Sequence, residues 1–113
     1  RALGDRVSPD KLDTRGYLHY LAGDYDSARR DMEAAVSGVQ QDYAMLRSAI
    51  LRQQKNLVDH RILDETLKIQ EHRLAVLYQH RGLVYEKTGR LKKAQADFRE
   101  AKKLGYSPAK GVW

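Results

Sequence analysis

Apolar residues along the chain recur at alternating three- and four-residue steps, the spacing of one face of a helix. One run is Val36, Val39, Tyr43, Leu46, Ile50, Gln53 and Leu57. A second is Leu63, Leu67, Gln70, Leu74, Leu77, Arg81 and Val84. Such a pattern is the seam of a two-helix coiled coil. Neither glycine nor proline occurs between Gly38 and Gly82, so nothing in that stretch punctuates a helix. Outside it the stop signals are dense. Ser8 can cap a helix that has Pro9 at its first position, where a missing N–H costs nothing. Gly23 sits where a helix needs a left-handed terminating residue, and Asp24 can cap the next helix, beginning near Tyr25. Gly89 and Gly105 end two further helices, with Pro108 shortly beyond.

The chain also repeats itself. With an offset of 66 residues and no gap, Arg15 aligns with Arg81, Gly16 with Gly82, Gly23 with Gly89, Ala28 with Ala94, Asp31 with Asp97, Met32 with Phe98 and Ala35 with Ala101. Each copy reads as helix, turn, helix. A glycine in mid-helix costs about 1 kcal/mol relative to alanine. Gly16 and Gly82 are therefore expected to be buried where two helices approach closely, opposite Ala28 and Ala94. Met32 and Phe98 then fill the space one turn along.

Those positions resemble the tetratricopeptide repeat: Gly16, Gly23, Ala28, Met32 and Ala35 in the first copy, and Gly82, Gly89, Ala94, Phe98 and Ala101 in the second. The resemblance spans residues 9–42 and 75–108, about 60% of the chain. It departs at Leu12, where the family has a large aromatic, and at His19, where it has a tyrosine. Tyr78 and Tyr85 keep both features in the second copy. The resemblance implies an all-α fold that binds another protein. Some members hold a partner's terminal carboxylate in a lysine–asparagine clamp. Asp13, Tyr17, Gln79 and Leu83 occupy those positions here and do not fit that chemistry.

The interval of 66 is near twice the family's period of about 34 residues, which raises a degenerate middle repeat. Arg61 and Glu65 stand where such a unit needs a small and a large apolar residue, which argues against it. The two apolar runs instead pair as an antiparallel hairpin, 46 with 74, 50 with 70, 43 with 77, 36 with 84 and 57 with 63. This predicts that the first unit's second helix continues to about Val58 and turns at Asp59–Ile62. The chain then returns as the extended first helix of the second unit. Gly38 is the position where the outgoing helix could end instead. The expected architecture is one helical-repeat domain over 1–113: a first unit at 9–42, a hairpin arm at 43–74 and a second unit at 75–108.

Composition narrows the chemistry. There is no cysteine, which removes disulfides, thiolate metal sites and thiol catalysis. The net charge is +6, and from Arg90 onward seven Lys or Arg stand against Asp97 and Glu100. Such a run suits an acidic partner or nucleic acid, but no aromatic residues interleave with it for base stacking. A solvated helix face is the simpler account. The chain opens on Arg1, and we read it as a segment of a longer protein, expected in the cytoplasm. His19, His60, His72 and His80 have no metal-ligand spacing. No phosphate loop or serine-nucleophile motif occurs. No metal, cofactor or catalytic residue is expected.

Tyrosine and arginine are enriched in binding surfaces. The partner-contact candidates are accordingly Tyr17, Tyr20, Tyr78, Tyr85, Arg15 and Arg81. Of the tyrosines at 17, 20, 43, 78 and 85, three are expected in the core. The reading is a protein-interaction scaffold, binding an unidentified protein or peptide through the repeat groove or the arm. Self-association as a homo-oligomer and a basic nucleic-acid surface are the alternatives, nucleic acid being the weaker.

Overall fold

The computed structural model describes residues 7–53 and 60–107, with the backbone alone at 53 and 60–63. Four helices follow one another: α1 Pro9–Leu21, α2 Tyr25–Gln53, α3 His60–Lys87 and α4 Leu91–Lys103. No strand occurs among the described residues. The fold is all-α: helix–turn–helix units formed by α1 with α2 and by α3 with α4, joined through the long antiparallel pair α2 and α3.

The glycine stops work as their chemistry requires. Gly23 and Gly89 adopt φ of 82° and 77°, the left-handed conformation that glycine enters without a Cβ penalty. In both turns the following N–H reaches back to a carbonyl of the helix, Asp24 to His19 at 2.9 Å and Arg90 to Tyr85 at 2.8 Å. These bonds satisfy carbonyls that a helix end leaves orphaned. At the start of α2, the Asp24 carboxylate accepts from the Ser27 N–H. The Ser27 side-chain hydrogen bond, then this backbone one, hold the Asp24 pKa below the usual carboxylate range.

Within each unit the helices touch at small residues. Gly16, Ala28, Gly82 and Ala94 are all buried. A Cβ on Gly82 would lie 2.6 Å from Cε1 of Phe98, and one on Gly16 would lie 2.9 Å from the Met32 Cε. Two core clusters result. One joins Ala28, Met32 and Val84. The other joins Leu12, Ala35, Val36 and Val39 with Leu74 and Leu77, backed by Tyr43, Tyr78 and Leu104. Both clusters contain residues of α3 alongside those of the first unit. Full burial of such side chains contributes roughly 1.5–3 kcal/mol each.

α2 runs unbroken through Gly38, whose missing Cβ lets Pro9 approach; a Cβ there would sit 3.0 Å from the proline ring. Beyond that point α2 continues to Gln53 without α1 beside it, about 23 Å at 1.5 Å per residue. The hairpin therefore exists, with one correction: α3 is already helical at His60, so His60–Ile62 is not the tip. Asp59, Leu57 and its pairing with Leu63 fall outside the described residues. Across the pair Tyr43 bonds Glu71, Gln40 bonds Tyr78 and Glu33 bonds Tyr85. Val36, Val39, Leu74 and Leu77 share one cluster with Leu12, and Tyr43 packs against it.

The two mid-helix glycines differ in what faces them, and this separates their substitutions. Met32 presents the flexible end of its side chain to Gly16, whereas Phe98 presents a rigid ring to Gly82. Gly16→Ala should stay within about 1 kcal/mol of the parent, because helix propensity offsets a small shift. Gly82→Ala should cost about 1–3 kcal/mol through overpacking. Equal midpoints in urea unfolding for the two variants would contradict this account of the close approach.

Candidate protein-binding surfaces

The charged pairs that hold each unit are copies of one another. Arg15 donates through Nε and Nη2 to both carboxylate oxygens of Asp31, each at 2.8 Å. Arg81 makes the same two bonds to Asp97, again at 2.8 Å. In each unit the arginine stands one residue before the glycine of close contact, and the aspartate one residue before Met32 or Phe98. This fork-to-fork geometry is the strongest form of the pairing. The environments differ. The Arg15 side chain is 53% exposed, the Arg81 side chain 19%. The Arg81 guanidinium also lies 5.5 Å from the rings of both Tyr78 and Tyr85. Burial alone would lower the Arg81 pKa, but the hydrogen bonds and charge of Asp97 more than reverse that. At Arg15 the Asp31 hydrogen bonds raise the pKa.

A polar seam runs where α3 crosses the first unit. Arg73 donates to Asp10 at 3.0 Å, and His80 Nδ1 meets Asp13 at 2.7 Å. The Tyr85 hydroxyl donates to Glu33 at 2.7 Å, and the Gln40 amide donates to the Tyr78 hydroxyl at 2.7 Å. Burial, then the Glu33 hydrogen bond, pushes Tyr85 up to about 12. α1 and α3 run parallel, and the first unit presents three carboxylates to the helix that covers it.

The second unit has no helix in the corresponding place among the described residues. A groove of about 470 Å³ opens there, lined by Gln79, Leu83 and Glu86 of α3 and by Phe98, Lys102, Tyr106 and Ser107. At the repeat offset these positions are Asp13, Tyr17, Tyr20, Met32, Val36, Gln40 and Gln41. Asp13 and Gln40 bond α3. Tyr20 and Met32 pack with Val84, and Val36 packs with Leu74 and Leu77. The groove is thus the surface that α3 covers on the first unit, and among the described residues it is open on the second. A larger cavity, about 630 Å³, lies between the start of α1 and α2, with Pro9, Leu12, Gly38 and Met45 on its walls.

The family model for a tetratricopeptide repeat matches residues 75–104. The chain carries a tetratricopeptide repeat. The match covers α3 from Ala75 and all of α4, and so includes Gln79, Leu83, Glu86, Phe98 and Lys102 of the groove. No curated protein and no solved structure matches the chain. Tetratricopeptide repeats generally mediate protein–protein interaction. The first unit lies outside the match, yet it has the same turn, the same glycine contact and the same arginine–aspartate clamp as the repeat.

The expected contact residues fall on both sides of this division. Arg15 and Arg81 are clamped within their units, Arg15 with 53% of its side chain still exposed, and Tyr85 is 5% exposed. Their spacing held the missed signal: both Arg–Asp pairs lie 16 residues apart and recur at the repeat offset. Tyr17, Tyr20, Tyr43 and Tyr78 are half-buried, and the last three of these pack against the core clusters. Asp13 belongs to the seam with His80, which no sequence pattern indicated. The groove residues Leu83, Phe98 and Tyr106 remain partly accessible. Among the described residues no cluster of metal-binding side chains occurs, and no helix is long and apolar enough to cross a membrane.

The Tyr85–Glu33 bond has a pH signature. A phenol whose folded pKa is raised contributes stability that is complete below its unfolded value of about 10 and is lost as pH rises through the folded one. Stability should fall between about pH 10 and pH 12, and Tyr85→Phe should flatten that part of the profile. Chemical unfolding at successive pH values reads this directly. Parallel profiles for parent and variant would contradict it.

Proposed function

We propose that the chain is a protein-interaction module and not an enzyme, and that a segment of a partner protein lies in the groove of the second unit. The observation that carries this reading is the repeat equivalence. The side chains lining the groove occupy the positions that hold α3 on the first unit, so the surface is already shaped to receive a helix. Leu83, Phe98 and Tyr106 supply apolar area, and Gln79, Glu86 and Lys102 supply polar groups at its margin. That mixture suits a binding groove, and aromatic side chains supply much of the energy in such contacts.

Self-association is the second reading. Met45 on α2 and Ile69 on α3 are 71% and 60% exposed. Exposed apolar residues at these positions give a second copy something to bury. A soluble, intracellular setting fits both readings. For nucleic acid, the support is the exposed Lys92, Lys93, Arg99, Lys102 and Lys103 alone.

A photo-crosslinking residue placed at Leu83 in the full-length protein tests the first reading inside cells. It should yield an adduct with another polypeptide, and the same residue at Gln95, exposed on α4, should yield none. Adducts from Met45 but not from Leu83 would move the site to the arm. An adduct with the mass of two copies would make the module a homo-oligomer. Nuclease-sensitive adducts would make it a nucleic-acid binder. Each of those results overturns the proposal.

A further inference from the structure

The covering helix of the first unit and the groove of the second can be compared position by position, and the comparison bears on what the groove takes. On the first unit α3 is received by carboxylates: Asp10 for Arg73, Asp13 for His80 and Glu33 for the Tyr85 hydroxyl. At the repeat offset those three become Val76, Gln79 and Arg99. Val36, buried under α3, becomes Lys102, which is exposed. Every carboxylate that meets α3 has therefore been lost, and two cations have entered. Glu86, in place of Tyr20, is the one acid among the lining residues. The apolar floor survives, with Phe98 for Met32 and Leu83 for Tyr17.

Resting on the reading that this groove is the binding site, we infer that its occupant is an acidic amphipathic helix of a partner protein. The helix lies parallel to α3, as α3 lies parallel to α1. Val84 of α3 packs against Met32, and the next residue, Tyr85, meets Glu33. The occupant accordingly places an apolar residue on Phe98 and, one residue later, a carboxylate against Arg99. A further acid faces Lys102. Lys102 lines the apolar floor, and Arg99, exposed at the Glu33 position, adds a second cation within reach of the occupant, so that charge sets partner choice.

The same comparison disfavours a second copy of this chain. The edge of α1 that would enter the groove carries Lys11, Thr14 and Leu18, which correspond to Leu77, His80 and Val84 of α3. The residue that would meet Arg99 is His19, and Lys11 would stand where Leu77 faces the Val36 position, opposite Lys102. Lys11 would meet Lys102, and no carboxylate would meet Arg99.

The test uses designed amphipathic peptides of about 18 residues, long enough for five helical turns. One carries Glu at the positions facing Arg99 and Lys102, and a second carries Lys there. A third keeps the Glu composition but scrambles the apolar stripe. Amide chemical shifts in the protein locate binding, and fluorescence anisotropy measures it. The Glu peptide should shift the amides of Leu83 and Phe98 and bind more weakly as salt screens Arg99 and Lys102. Reversing the exposed Arg99→Glu and Lys102→Glu together should weaken it by about tenfold or more and create binding for the Lys peptide. Circular dichroism shows whether the reversed protein keeps its helices; if it does not, Lys102→Glu alone should still weaken the Glu peptide. Groove shifts from the Lys peptide alone would overturn the acidic chemistry while leaving the groove as the site. Equal binding of the scrambled peptide would overturn the helix. No groove shift from any peptide, or dimerisation of the protein alone in sedimentation through this groove, would overturn the inference whether or not the Leu83 crosslink forms.

Discussion

Each unit depends on two helices coming close enough for a glycine to face a methionine or a phenylalanine. At that distance the arginine one position before the glycine reaches the aspartate one position before the large residue, and both forks of the guanidinium are filled. Contact and ion pair enforce each other. A side chain in place of Gly82 would push α4 away and lengthen the Arg81–Asp97 bonds. Loss of Asp97 would leave a largely buried cation between two tyrosine rings, and removing one partner of a buried pair costs about 3–5 kcal/mol. Arg15 is more exposed, so its pair is screened and contributes less.

The same clamp in both units sets up their asymmetry. Because α1–α2 and α3–α4 are built alike, they offer like surfaces on the side away from the preceding helix. On the first unit α3 fills that surface and its seam is neutralised by carboxylates. On the second the surface is open, and the substitutions from the first unit to the second change its charge from acidic to basic. Of the basic residues in the last part of the chain, Lys102 lines the groove and Arg99 takes the place of Glu33 at the repeat offset.

Much of the fold is legible in the sequence because it rests on local chemistry. Gly23 and Gly89 stop helices through their own φ, and Gly16, Ala28, Gly82 and Ala94 advertise close packing by being small at fixed spacing. The long helices follow from a stretch without glycine or proline. Contacts between distant helices were harder to see. Arg15 and Arg81 resemble surface arginines until Asp31 and Asp97 are brought across the interface, and His80 has no counterpart at Thr14 to reveal its role with Asp13. Period alone also does not say which third helix joins a seam: Leu12 of α1 enters the cluster of Val36, Val39, Leu74 and Leu77. The groove was invisible for a related reason: its residues are unremarkable singly, and only the covering of Met32 and Val36 by α3 shows what Phe98 and Lys102 lack.

That contrast between equivalent residues is the centre of the account, and hydroxyl-radical footprinting of the 113-residue chain measures it without any ligand. Oxidation of each residue, normalised to the urea-unfolded chain to remove intrinsic reactivity, reports its cover. Met32, buried beneath α3, should be strongly protected, and Phe98 and Tyr106 should be oxidised far more readily relative to their unfolded rates. Protection of Phe98 equal to that of Met32 would mean that the second unit is covered as the first is, and would contradict the open groove.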